Sequence, residues 1–129
     1  MFTLAQILQA HAKVKSGADF PKYIQEIKQH GVTAFQTWVA DSHTEYFGNE
    51  NQQIKSQPQY KTLKIAETLN TEKFTHYLKL HQQGQTDYHT FCSHCAETGI
   101  KKWCVSLDKM TCTYQDKAGK NVLVENIPK

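Results

Sequence analysis

The spacing of apolar and polar residues changes character several times along this chain. Over positions 3–14 the apolar residues Leu4, Ile7, Leu8 and Val14 recur at helical spacing, and Thr3 with Gln6 makes a capping-box pattern. KSGAD breaks this helix. Asp19 and Pro21 then read as the cap and first turn of a second helix, with Phe20, Tyr23, Ile24 and Ile27 as its stripe and Gly31 as its stop. Two helices joined by so short a break predict an antiparallel helical hairpin.

From position 32 the period shortens to two. VTAFQTWVA, TEYFG, QQIKS and YKTLKIA are short β-branched or aromatic runs, separated by DSH, GNEN and QP, and they predict three or four strands of an antiparallel meander. Both faces of AFQTWVA carry large residues, so the pattern leaves the register of the first hairpin open. A third helix follows, capped at Asn70 or Thr71, with Phe74, Tyr77 and Leu78 on one side and Gly84 at its end. A fourth covers about 87–98 and stops at Gly99. Three strands turning at DK and DKAGK close the chain. No internal repeat, low-complexity segment or linker is visible. The pattern predicts one α+β domain over 1–129 in the order ααβββ(β)ααβββ, an antiparallel sheet with four helices packed on one face.

Composition narrows the function classes. Hydrophobic residues make up 39% of the 129 residues and charged residues 21%, which is ordinary globular usage. The formal charge is only +3, the lysines are dispersed, and the chain has no arginine, so nucleic acid is not an expected partner. No apolar run approaches membrane-spanning length and the N-terminal stretch reads as an amphipathic helix rather than a leader. The expectation is a cytoplasmic protein with no membrane partner and with its four cysteines as thiols.

Three of those cysteines lie in DYHTFCSHCAETGIKKWC. On a helical wheel Tyr88, Phe91, Cys92, Cys95 and Gly99 fall within one core-facing stripe, so the CxxC reads as packed core. A redox site would place its first cysteine at a helix N-terminus after a strand, and Cys92 lies a turn inside the helix. A zinc site at Cys92 and Cys95 is the alternative, and it needs further ligands. If Asp108 and Lys109 form a hairpin turn, Val105 faces Cys112 and Trp103 faces Tyr114. Cys104 and Cys112 then point to opposite sheet faces and cannot share a metal. No metal and no cofactor is expected.

The histidines give the other candidates. His11, His30 and His81 each sit near the C-terminal end of a helical stripe, where an imidazole interacts well with the helix dipole or contributes to a ligand pocket. In ADSHTEYFG, Asp41 and His43 share a tight loop and Glu45 follows at strand spacing, a carboxylate–imidazole group suited to acid–base work or to a solvated turn. Phosphate-binding glycine loops, G-x-S-x-G and H-E-x-x-H are all missing, so an enzyme would have no mechanism legible in the sequence.

Several stretches taken together, AHAKVKSGADFPKYIQEIKQHGV, DSHTEYFG, LKLHQQGQTDYHTFCSHCAETGIKKW and MTCTYQDKAGK with LVENIP, resemble the YbcV-like family of small bacterial and prophage-borne proteins, catalogued as "phage envelope protein". The resemblance spans nearly the whole chain. It implies a stand-alone domain of unknown function with a phage or prophage association, and it supplies no catalytic residues. A glycine is common in that family at the middle of the loop Asp41, Ser42, His43; the serine here removes the argument that the loop needs a left-handed backbone at that point.

Three functions follow as expectations. The first is a non-enzymatic binding or interaction module, with an unknown protein partner or itself as a homodimer. The second is a small ligand-binding protein or enzyme using His43, Asp41 and Glu45, and a pocket lined by histidines would favour it. The third is a phage structural component.

Overall fold

The computed structural model describes residues 2–15 and 17–127; Met1, Ser16 within the predicted break, Pro128 and Lys129 lie outside the described residues. Helices α1 (Leu4–His11) and α2 (Phe20–Gln29) precede strands β1 (Val32–Trp38), β2 (Thr44–Gly48) and β3 (Gln53–Lys55). Helices α3 (Thr71–Gln82) and α4 (Tyr88–Thr98) precede β4 (Ile100–Ser106), β5 (Thr111–Asp116) and β6 (Asn121–Asn126). No helix among the described residues is long and apolar enough to cross a membrane.

The helix ends follow from local chemistry. Thr3 Oγ1 accepts from the Gln6 N–H and Gln6 Oε1 accepts from the Thr3 N–H, completing the box. Asn70 and Asp87 cap α3 and α4 by accepting from the N–H groups of Lys73 and Thr90. Asp19 departs from expectation. A 3₁₀ turn runs straight into α2, so Asp19 is already helical and its carboxylate accepts from the Lys15 N–H at 2.9 Å instead. Gly99 holds φ +91° where α4 turns into β4, and a Cβ there would lie 3.0 Å from the Thr68 and Leu69 backbone.

The six strands form one antiparallel sheet in the order β3-β2-β1-β4-β5-β6. The fourth meander strand predicted from YKTLKIA does not form. Leu63 gives its N–H to the Ala40 carbonyl after β1 and Ala66 gives its N–H to the Ala96 carbonyl of α4, so the stretch bonds to a loop and a helix rather than to a strand. Phe35, Thr37, Tyr46, Trp103, Val105 and Tyr114 face inward, while Gln36, Trp38, Lys102 and Cys104 occupy the outer face. The helices pack on the inner face, Tyr23 of α2 against Phe35, Phe91 of α4 against Trp103 and Phe74 of α3 against Tyr114. Full burial of a side chain such as Ile24 or Ile27 stabilises this layer by roughly 1.5–3 kcal/mol each.

The fold contains a repeat that the sequence pattern conceals. Both halves run ααβββ, and the sheet order is symmetric about the central pair β1 and β4. From α2 through β2 each residue matches the one 68 positions later, as in 32 with 100 and 46 with 114, and the two central hairpin registers agree at that spacing. Gly31 matches Gly99, both left-handed, and the buried Tyr23, Ile24 and Ile27 match the buried Phe91, Cys92 and Cys95. The CxxC therefore fills positions that isoleucines fill in the other half.

Candidate functional site

Between the helices and the inner sheet face lies a cavity of about 790 Å³, within the range of small-molecule sites. Its wall on the β1–β2 side carries the hydroxyls of Thr37, Ser42, Thr44 and Tyr46. They are neighbours: Thr37 Oγ1 lies 2.8 Å from Thr44 Oγ1, and the Tyr46 hydroxyl faces Thr44 and Tyr23 closely enough to act on their electrostatics. Ser42 Oγ lies 2.6 Å from the Tyr88 hydroxyl, which reaches across from the start of α4. The opposite wall is made by Leu78, Phe91, Trp103, Cys112, Tyr114 and Ile127. Lys15 and Glu125, of opposite sign, are the lining residues among those described that carry formal charge.

Two of the three helix-end histidines join this wall. His11 packs edge-on against Tyr23 and Tyr88, with ring centroids 5.3 and 6.0 Å away. His81 stacks on Phe91 at 4.4 Å, and its Nδ1–H donates to the Thr86 carbonyl at 3.1 Å, which leaves Nε2 as the acceptor nitrogen of a neutral ring. Burial pushes the pKa of both below the usual histidine value, and for His81 the Thr86 bond only partly offsets it. His30 caps α2 outside the cavity wall. His89 lines the cavity although no stripe pointed to it; its ring meets Tyr60 edge-on at 5.0 Å.

Asp41, His43 and Glu45 come together differently from the expectation of a site near a pocket. Alternation along β2 puts the buried Thr44 on the cavity side, so His43 and Glu45 face the other way. His43 stacks on Trp38 at 4.7 Å, and its Nδ1 lies 2.6 Å from Asp41 Oδ1. Desolvation acts against ionisation of Asp41, but the bonds from the His43 backbone and ring hold its carboxyl below the usual range. Glu45 pairs with Lys55 at 3.5 Å and accepts from Gln53. The loop reaches the cavity through Ser42 alone of its three residues. Ser42 does hold a left-handed backbone although it is not glycine: its φ is +60°. Its N–H donates to the Trp38 carbonyl at 2.8 Å and its hydroxyl to or from Tyr88, which together hold the left-handed turn.

Cys92 and Cys95 are fully buried. Burial pushes the Cys92 and Cys95 thiols up and Cys112 up to about 12, the opposite of what a reactive thiolate needs. Cys104 pairs with Thr113 and Val105 with Cys112, the predicted register, so Cys104 and Cys112 occupy opposite faces. His94 stacks on Tyr77 of α3 at 3.7 Å. Among the described residues no group of three or more His, Cys, Asp or Glu side chains is placed to hold a metal ion.

Fold and cavity together define a small α+β domain with an open cavity between its helices and its sheet. The chain belongs to the DUF1398 family of proteins of unknown function, which it matches over residues 8–126. No curated protein matches it.

Proposed function

We propose that this protein binds a small molecule in the cavity between its helices and its sheet. The single observation that carries the reading is the cavity itself, about 790 Å³ with neighbouring hydroxyls on one wall and aromatic rings on another. A wall of hydroxyls, neutral histidines and aromatic rings offers a ligand both orientation and apolar burial.

The test is a thermal-shift screen of the purified chain against a diverse set of uncharged small molecules. A ligand present at a hundredfold its Kd stabilises the fold by about 2.7 kcal/mol, a readily measured shift. Leu8→Trp and Val14→Trp narrow the cavity from α1 and the segment after it, at residues that keep solvent contact. They abolish the shift while leaving unliganded stability within about 1 kcal/mol. A shift that survives both substitutions, or none for any compound, overturns the reading. Association with phage or prophage is a separate proposal resting on the sequence resemblance, and it fails if the chain does not co-sediment with purified virions.

A further inference from the structure

The two halves of the molecule build the same framework but not the same chemistry. At the 68-residue spacing Tyr23 is matched by Phe91, Thr37 by Val105, Ser42 by Met110 and Thr44 by Cys112. Four hydroxyls of the first half thus meet residues without one in the second; of these inner-face hydroxyls only Tyr46 is matched by another, on Tyr114. An exchange in the other direction, Phe20 to Tyr88, sends its hydroxyl back to Ser42 and so adds to the first half's polar set. The inner sheet face under the cavity has thus become richer in hydroxyls on the β1–β2 side than on the β4–β5 side.

We infer that the cavity takes an uncharged amphipathic ligand in one orientation, with a hydroxyl or amide N–H against Thr37, Thr44 and Tyr46 and a flat apolar body against Phe91 and Trp103. This rests on the reading of the cavity as a small-molecule site and adds the ligand's class and direction. A hydroxyl has one donor and two acceptor positions, so hydroxyls bonded chiefly to one another keep acceptor capacity for a ligand's O–H or N–H. Phe91 and Trp103, with ring centroids 5.9 Å apart, offer flat faces that favour a planar apolar body. The opposed charges of Lys15 and Glu125 give an ionised ligand no net attraction.

The experiment compares 2-naphthol, naphthalene and 2-naphthoate in NMR titrations of the isotope-labelled chain. The wild-type protein binds 2-naphthol at least about tenfold more tightly than naphthalene, the worth of one recognised hydroxyl, and binds 2-naphthoate more weakly than 2-naphthol. Amide shifts on 2-naphthol binding are largest around Thr37 and Thr44. The double variant Thr37→Val, Thr44→Cys copies the second half and removes both members of the Thr37–Thr44 bond together, and Tyr46 keeps its neighbour Tyr23. In it the preference for 2-naphthol over naphthalene disappears while naphthalene affinity is kept. Phe91→Leu weakens both compounds alike. Equal wild-type affinity for 2-naphthol and naphthalene, or a preference unchanged in the double variant, overturns the orientation while leaving the cavity as a binding site. Binding of no compound overturns both.

Discussion

Ser42 and Met110 stand at the same point of the two central hairpins, and both hold a left-handed backbone, with φ of 60° and 54°. One hairpin joins β1 to β2 and the other β4 to β5, at matching register. A side chain in this conformation costs roughly 1 kcal/mol relative to glycine. At 42 the hydrogen bond to Tyr88 works against that cost. Ser42→Ala therefore loses the bond and keeps the strain, and it destabilises by about 1 kcal/mol. Ser42→Gly loses the bond but relieves the strain, so it is more stable than Ser42→Ala by a similar amount. Urea denaturation of the pair settles it; equal stabilities rule out backbone strain at 42.

Cys92 occupies the place in α4 that Ile24 occupies in α2, and both are fully buried. Cys92→Ser puts a hydroxyl there and costs about 1–3 kcal/mol. In the native protein a thiol reagent modifies Cys104, which keeps solvent contact, well before the buried Cys92, Cys95 and Cys112. Rapid native labelling of Cys92 or Cys95 would count against the packing role, as would one zinc per chain by elemental analysis.

Phe91 touches Phe74, His81 and Trp103 and is buried, so it ties both second-half helices to the sheet. Phe91→Ala costs about 3–5 kcal/mol in chemical denaturation. A cost under about 1 kcal/mol would mean that the cavity already gives this ring little support.

Stability also depends on pH through His11 and His81. Both have folded-state pKa values below the unfolded value of about 6.5. The unfolded chain therefore binds more protons as the pH drops, and unfolding is favoured. The contribution of these two rings is complete above pH 6.5 and is lost as the pH falls through 6.5 towards their folded values. His81→Asn flattens the stability profile between pH 7.5 and 5. The depressed carboxyls of Asp41 and Asp87 act only below about pH 4 and leave that window clear. An unchanged slope in His81→Asn means that His81 titrates normally.

The sequence by itself determined the elements and much of their pairing. Capping residues at 3, 70 and 87, the glycine at 99 and the alternation either side of Asp108 are local signals, and the β4–β5 register follows from them. It also placed Cys92 and Cys95 on a core-facing stripe, because a wheel needs nothing beyond helical geometry. Local signals failed where distant groups decide the outcome. YKTLKIA has strand composition, but its N–H groups are claimed by carbonyls of other elements. The register of AFQTWVA stayed open until β4 and the helices took Phe35 inward and His43 covered Trp38 on the outer face.

Only the tertiary structure decided where the candidate site lies. Asp41 and His43 do pair as their spacing allows, yet the β2 pleat turns His43 and Glu45 away from the cavity and admits Ser42. His11 and His81 meet one cavity because two helical hairpins are laid symmetrically on one sheet, a relation between elements that no local pattern encodes. The repeat was hidden for the same reason. Threonine against valine is alike in shape and unlike in letter, and cysteine against isoleucine keeps a buried apolar position with a smaller side chain, so the framework keeps a symmetry that the sequence obscures.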